Sequence, residues 1–247
     1  MSVISYCGQM MTDAPSPLIH EAEKPLILVG NGEYDTDMLT KFAPMGPVVA
    51  VDGGYYGCRM AGIIPQLVIG DMDSVDPADL ADNKQNTVIH PISEQDTTDL
   101  EKALRHLSAP VIIGVGFLGK RFDHSLAALT VLAKYAGQHQ VLLIGRDDII
   151  YVGKGAIKMT LDKGKRVSIW PLGSITFASS SGLAWPLDGL TMAPVKLAGT
   201  SNVMQSRELE IIPQQNNQSA YALLMETDCL QAMLDALLAQ ALGVGKP

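Results

Sequence analysis

The sequence predicts an α/β protein in which a largely parallel sheet with flanking helices is followed by a smaller all-β, sandwich-like domain and a terminal helix. From Pro25 to about Gly145, short apolar runs alternate with helical stretches. Those runs are apolar at successive residues, as strands buried on both faces of a parallel sheet must be. After Arg146-Asp147-Asp148 the strands crowd together between Gly, Pro, Ser and Asn, the texture of a small antiparallel sandwich or barrel. From Asp228 to Leu242, Leu230, Met233, Leu234, Leu237, Leu238 and Ala241 share one helical face.

Residues 1–24, with Pro15, Pro17 and the charged stretch Glu21 to Lys24, read as a loosely ordered lead-in. In the first domain, residues 25–147, strands are expected at Leu26–Val29, Val48–Val51, Leu67–Ile69, Thr87–Ile89, Val111–Val115 and Val141–Ile144. Helices are expected at Asp99–Leu107 and Asp123–Tyr135. In the second domain, residues 148–247, strands are expected at Tyr151–Leu161, Arg166–Trp170, Ser174–Phe177, Val195–Leu197, Glu208–Ile212 and Tyr221–Met225.

The 247 residues carry a formal charge of -8, which argues against a nonspecific grip on nucleic acid or an anionic membrane, so any phosphate site must be built locally. Cys7, Cys58 and Cys229 lie far apart without metal-ligand or disulfide-framework spacing, and a reducing, cytoplasmic setting is expected. The N-terminus lacks the basic and apolar regions of a secretion signal, and no apolar run reaches the roughly 18 residues of a membrane span.

Four clusters fall just beyond strands of the first half, where open parallel sheets hold their ligands. Asp52-Gly53-Gly54 follows the second strand, and its glycines let backbone N–H groups approach a phosphate or base; a capped turn is the plainer reading. In Ile69-Gly70-Asp71-Met72-Asp73-Ser74, two carboxylates one residue apart on extended chain point the same way and suit a divalent ion; the alternative is a solvated acidic loop. In Gln95-Asp96-Thr97-Thr98-Asp99-Leu100-Glu101-Lys102, Thr97 or Thr98 can cap a helix while Asp96 and Asp99 share a side; taken alone, this is mostly helix capping.

The fourth cluster runs from Gly114 through Gly116, Gly119, Lys120, Arg121 and Asp123 to His124. It satisfies the glycine fingerprint of dinucleotide sites, but the acid that site needs comes late, at Asp147. It also matches a P-loop except that Arg121 stands where a hydroxyl residue should reach magnesium. What it does offer is Lys120 and Arg121 for phosphate charge, Asp123 for a metal or hydroxyl, and His124 as either a ligand or a structural histidine. Together the clusters equip one sheet edge for magnesium-assisted transfer of a phosphorylated group.

These residues resemble the thiamine pyrophosphokinase family in order and spacing: DGG at Asp52 to Gly54, GIxP at Gly62 to Pro65, GDxDS at Gly70 to Ser74, QDxTDLxKAL at Gln95 to Leu104, and GxxGxRxDH at Gly116 to His124. Downstream, Ser181 to Leu187 and Gly199 to Asn202 are similar to the family's thiamine-side segments. The resemblance implies an α/β nucleotide and catalytic domain, a β-rich thiamine-binding domain, ATP and magnesium, and a homodimer whose subunits share each active site. On that basis Asp71, Asp73, Asp99 and Asp123 hold magnesium and the reacting end of the substrate, and Arg121 neutralises diphosphate charge. Asp52, Gly53, Gly54, Gln95, Asp96, Thr98, Lys102, Lys120 and His124 serve the nucleotide.

Ser181, Trp185, Ser201 and Asn202 then serve thiamine, with the indole of Trp185 against its cationic rings; a place for Trp185 in the sandwich core is the other reading. Lys120 replaces a usual glycine, Gln66 a frequent acid, and Val203 another. The implied reaction is attack of the thiamine hydroxyl on the β-phosphorus of ATP with departure of AMP, the proton passing to Asp71 or Asp99. Other readings are a diphosphokinase for another alcohol such as a pterin, an NAD(P)-dependent oxidoreductase built on Gly114, Gly116 and Gly119, and a sensor without turnover. For the terminal helix, two coverings are open, the chain's own second domain or a dimer partner.

Overall fold

The structure, a computed structural model, describes residues 18–81, 86–94 and 96–243. In chain order its strands are β1 (His20–Glu21), β2 (Leu26–Val29), β3 (Val48–Val51), β4 (Leu67–Gly70), β5 (Val88–Pro91), β6 (Leu107–Ser108), β7 (Ile112–Val115), β8 (Val141–Ile144), β9 (Asp148–Gly153), β10 (Ile157–Thr160), β11 (Arg166–Pro171), β12 (Ile175–Ser181), β13 (Thr191–Met192), β14 (Gly199–Val203), β15 (Glu208–Pro213) and β16 (Tyr221–Glu226). The helices are α1 (Thr36–Phe42), α2 (Gly54–Met60), α3 (Pro77–Ala81), α4 (Asp99–His106), α5 (Phe122–Tyr135) and α6 (Leu230–Ala241).

The uninterrupted apolar runs β2, β3, β4, β7 and β8 are buried along their whole length and pair in parallel. Successive side chains leave opposite faces. Ile27, Val29, Ala50 and Val68 therefore meet Leu39 and Phe42 of α1 and Tyr55 and Cys58 of α2. Their neighbours Leu26, Leu28, Val49 and Ile69 meet Leu100 and Leu104 of α4 and Val131 and Leu132 of α5. From β2 the chain steps outward through β3 and β4 to β5, and β7 and β8 then return on the other side of β2. The strand order reverses between β2 and β7, which makes that crevice the topological switch point where such sheets bind ligands.

At Gly145 the N–H donates to Asp148 O at 2.8 Å, and this turn sends β9 back antiparallel to β8. The sheet thus continues through the boundary expected near residue 147 and reaches ten strands, ordered β14-β11-β16-β9-β8-β7-β2-β3-β4-β5. A second sheet, β10-β15-β12-β13, shares a core with its antiparallel part. Phe177 of β12 meets Tyr221 of β16 edge-on at 5.4 Å across that interface. The sandwich-like half is therefore present, with one of its two sheets running on from the parallel sheet of the first half. Helix α6 inserts Met233, Leu234 and Leu237 into the same core and so covers the chain's own β-rich half.

Five details differ from the sequence expectation. The single strand at Tyr151–Leu161 is two strands in different sheets, β9 and β10, because Gly153-Lys154-Gly155 breaks the run. Val195–Leu197 is a tight turn in which Lys196 and Leu197 N–H groups donate to Ala193 O; with Val195 94% exposed, no buried face holds it extended. The short strand β13 and the irregular β14 are additional to the expected strands. The helix expected from Asp228 begins with a 3-10 turn, Thr227–Cys229. The end of the lead-in is tied down where His20 and Glu21 pair in parallel with Leu107 and Ser108.

Candidate active site

Asp52, Asp71 and Asp73 each bring a carboxylate oxygen to within 4.8 Å of the others. They come from the ends of adjacent strands β3 and β4, and backbone strain helps aim them: Asp52 has φ 44 and Met72, between the two other acids, φ 64. The Asp71–Asp73 segment is therefore kinked rather than extended as expected, and the acids converge through the left-handed Met72. Local bonds hold the shape. Asp73 N–H donates to Asp71 Oδ1 at 3.4 Å, Ser74 Oγ donates to Asp73 Oδ1 at 2.9 Å, and Ser74 N–H donates to Asp52 Oδ1 at 3.3 Å. Gly54 is required because a Cβ there would lie 2.0 Å from Val29 O. This close approach lets α2 start directly beneath the acids.

Lys102 joins this group to helix α4. Its side chain is 2% exposed, and the ammonium donates to Asp71 Oδ2 at 3.3 Å and to Asp99 Oδ1 at 3.0 Å. Asp99 opens α4, whose N-cap Thr98 accepts the Glu101 N–H. Burial pushes the Asp99 carboxyl above its ordinary range, with the charges of Asp71 and Asp52 adding and Lys102 opposing. Burial acts in the same sense on Asp71, but the Asp73 N–H and Lys102 outweigh it and hold Asp71 below the usual range. Asp96 is exposed before the helix, and Gln95 lies outside the described residues.

At the switch point, sequence reasoning missed Gly30-Asn31-Gly32, although a Gly-Asn-Gly turn after a fully buried strand was the available signal. Gly32 N–H donates to Gly116 O at 2.6 Å, and Gly116 has φ 79 with Gly30 O 2.5 Å from where its Cβ would be. The loops after β2 and β7 therefore touch backbone to backbone. Lys120 also adopts a left-handed φ of 49, the conformation that a glycine favours, and its Nζ donates to Asn31 O at 3.0 Å. Arg121 and Asp123 pair with each other through two bonds, at 3.1 and 2.5 Å, and both are exposed, as is His124. Asp123 and Asp99 stand outside the converging trio, whereas Asp52 belongs to it. Gly114 lies inside β7 rather than in a turn, so the dinucleotide fingerprint fails on geometry.

The segments expected to serve thiamine sit at the other end of the sheet. Trp185 is 61% exposed, which removes it from the sandwich core. Ser201, at a bulge opposite Ser168, has φ 60 and is exposed; its N–H donates to Ser168 Oγ at 3.0 Å. Ser181 ends β12, and Asn202 is buried against the Trp185 backbone. Counted in sheet order, β14 and β4 are eight strands apart, about 38 Å along the sheet at ~4.8 Å per strand.

Fold and site together define an α/β protein that gathers acids, a buried lysine and glycine turns at the carboxyl ends of parallel strands, the layout used to handle phosphorylated ligands. Two family models match, in order: "Thiamin pyrophosphokinase, catalytic domain" over residues 43–144 and "Thiamin pyrophosphokinase, vitamin B1 binding domain" over residues 156–212. The chain belongs to the thiamin pyrophosphokinase family. It is 28% identical over 215 residues to thiamine pyrophosphokinase 1 of Arabidopsis thaliana, covering 79% of this chain and 77% of the relative. Among solved structures, the thiamin pyrophosphokinase of Candida albicans matches with a TM-score of 0.68 at 15% identity, covering 83% of this chain and 89% of that one. That of Geobacillus thermodenitrificans matches with 0.66 at 22%, covering 82% and 97%. At those identities the structures speak for the fold alone.

Proposed function

We propose that this chain is a thiamine pyrophosphokinase, transferring the diphosphate of ATP to the hydroxyl of thiamine with release of AMP. The observation that carries this reading is the convergence of Asp52, Asp71 and Asp73 at neighbouring strand ends, beside the Lys102–Asp99 pair, in a chain matched by the family's catalytic and vitamin B1 models. Three carboxylate oxygens within 4.8 Å suit a small oxygen-seeking divalent ion, and these residues would hold magnesium. When bound, it neutralises charge on the diphosphate and the departing AMP.

The protein's own groups do the rest. Both oxygens of Asp71 are engaged, by Asp73 N–H and by Lys102, so its carboxylate is fixed in direction. Asp99 uses Oδ1 for Lys102 and has Oδ2 without a partner among the described residues, which makes Oδ2 the acceptor for the hydroxyl proton. Arg121 leaves Asp123 to pair with phosphate oxygens, and Lys120 and the Gly30–Gly32 turn line the nucleotide side. The exposed indole of Trp185 faces the cationic rings of thiamine.

Reacting atoms must come within about 3–3.5 Å, and one chain holds its acids and its Trp185 segment eight strands apart. This supports a homodimer in which the β-rich half of one subunit completes the acidic site of the other. Two free, buried thiols, Cys58 and Cys229, fit a reducing cytoplasm, and no helix among the described residues is long and apolar enough to cross a membrane. The test is incubation with ATP, magnesium and thiamine. Thiamine diphosphate and AMP should form in equal amounts; ADP with thiamine monophosphate, or no product, refutes the proposal.

A further inference from the structure

The loop that carries Trp185 is tied to β14 by a short ladder that ends on a side chain. Gln205 N–H donates to Gly182 O at 2.7 Å, Leu183 bridges Met204, and Ala184 N–H donates to Val203 O at 2.8 Å. The next rung would pair Trp185 with Asn202, whose main chain is in register with Val167 of β11. There the carboxamide of Asn202 takes over. Its Oδ1 accepts the Trp185 N–H at 3.1 Å and the Val203 N–H at 2.9 Å, and its Nδ2 donates to Trp185 O at 2.7 Å.

Two N–H donors face the oxygen and a carbonyl faces the nitrogen, so only one orientation of the amide satisfies all three bonds. A carboxamide offers the same donor and acceptor as a peptide group, and here it extends the ladder by one rung. Pro186, next in the chain, has no N–H to anchor the loop itself. Asn202 is 3% exposed and spends its bonds on backbone, whereas the Trp185 indole stands 61% exposed. We propose that Asn202 is a positioning residue: it fixes the backbone of Trp185 so that the indole is presented in one orientation, and it does not itself touch thiamine. The inference rests on the reading of Trp185 as the thiamine contact.

The test is a double-mutant cycle on purified protein, read as KM for thiamine and KM for ATP. Trp185→Ala should raise the thiamine KM roughly 2- to 30-fold, the range of a cation over an indole face. Asn202→Ala should raise it by no more than that and leave the ATP KM within about 2-fold. In the Trp185→Ala background, Asn202→Ala should add less than about 2-fold, since residues acting as one unit are not additive.

Multiplying effects mean that Asn202 meets the substrate directly and overturn the proposal, as does an unchanged thiamine KM in Asn202→Ala. An unchanged thiamine KM in Trp185→Ala overturns the site reading and the inference with it. If Asn202→Ala does not fold, the cycle is run with Asn202→Ser, whose short hydroxyl keeps a polar atom at the site but cannot make all three bonds to Trp185 and Val203. The chain has two tryptophans, so a Trp170→Phe background isolates Trp185 emission. There the Asn202 substitution should change acrylamide quenching of Trp185 in the folded protein; an unchanged quenching constant overturns the positioning role.

Discussion

At limiting thiamine, Asp73→Asn protein mixed with Trp185→Ala protein should recover about a quarter of the wild-type sites, although the first alone is inactive and the second is slowed by its raised thiamine KM. Asp73→Asn removes charge from the acidic trio at β3 and β4, and Trp185→Ala removes the exposed indole of a residue whose backbone is bonded to Asn202 of β14. The eight-strand separation, about 38 Å along the sheet, keeps these two defects out of one another's site within a chain. In the proposed twofold dimer, each site takes its acids from one subunit and its indole from the other. Random exchange of equal amounts makes about half of the dimers mixed. Each mixed dimer has one site carrying both substitutions and one carrying neither, hence about a quarter of the sites intact. The assay scores thiamine diphosphate and AMP at thiamine far below KM, where a roughly 2- to 30-fold rise in KM slows Trp185→Ala in the same proportion, with exchange followed through two distinct tags. If exchange is confirmed and the mixture does no better than half the rate of Trp185→Ala protein alone, the shared site is refuted and each chain must complete its own.

Asp71→Asn and Asp73→Asn should each lower turnover by at least about 100-fold with unchanged far-UV circular dichroism, because each removes charge from the trio with little change in size; near wild-type rates at saturating magnesium contradict this. Gly116→Ala should cost roughly 1–3 kcal/mol for its left-handed φ alone, before the contact with Gly30 O, and lower the melting temperature by about 2–12 °C in differential scanning fluorimetry. Burial holds His139 below its ordinary value of 6.5, so the unfolded chain binds the extra proton first and stability falls as pH drops from 6.5 through the folded value. Melting curves between pH 7 and 5 should show a shallower decline in His139→Gln than in the parent.

The buried runs were legible because a strand covered on both faces has no polar positions to interrupt it, and β2, β3 and β8 begin and end where the apolar runs do. The half-buried strands were harder. In β12 and β14, polar residues face solvent on alternate positions or at a bulge, so Gly199–Val203 reads as a loop until β11 is placed beside it. Val195–Leu197 misled in the opposite sense, since β-branched and apolar residues make a strand only where a neighbour buries them.

The candidate chemistry was written in residue types: acids after two adjacent strands, a lysine one turn into a helix, glycines where backbone must approach backbone. Those are local requirements, and a chain states them locally. Which acids converge was not local. Asp52 joins Asp71 and Asp73 because β3 and β4 are neighbours and Met72 turns left-handed, while Asp123 is spent on Arg121. Lys102 is withdrawn from solvent into a bridge between Asp71 and Asp99 only once α4 docks on the sheet. Asn202 becomes a rung of a ladder only because the loop at Trp185 folds back beside β14. Apolar period and turn chemistry act over a few residues, so the fold class and the kinds of groups at the site could be read along the chain, while the family followed from the order and spacing of five motifs. The tertiary structure alone decided which groups meet and which half of the site stands eight strands from the other, because strand order is set by the packing of distant segments.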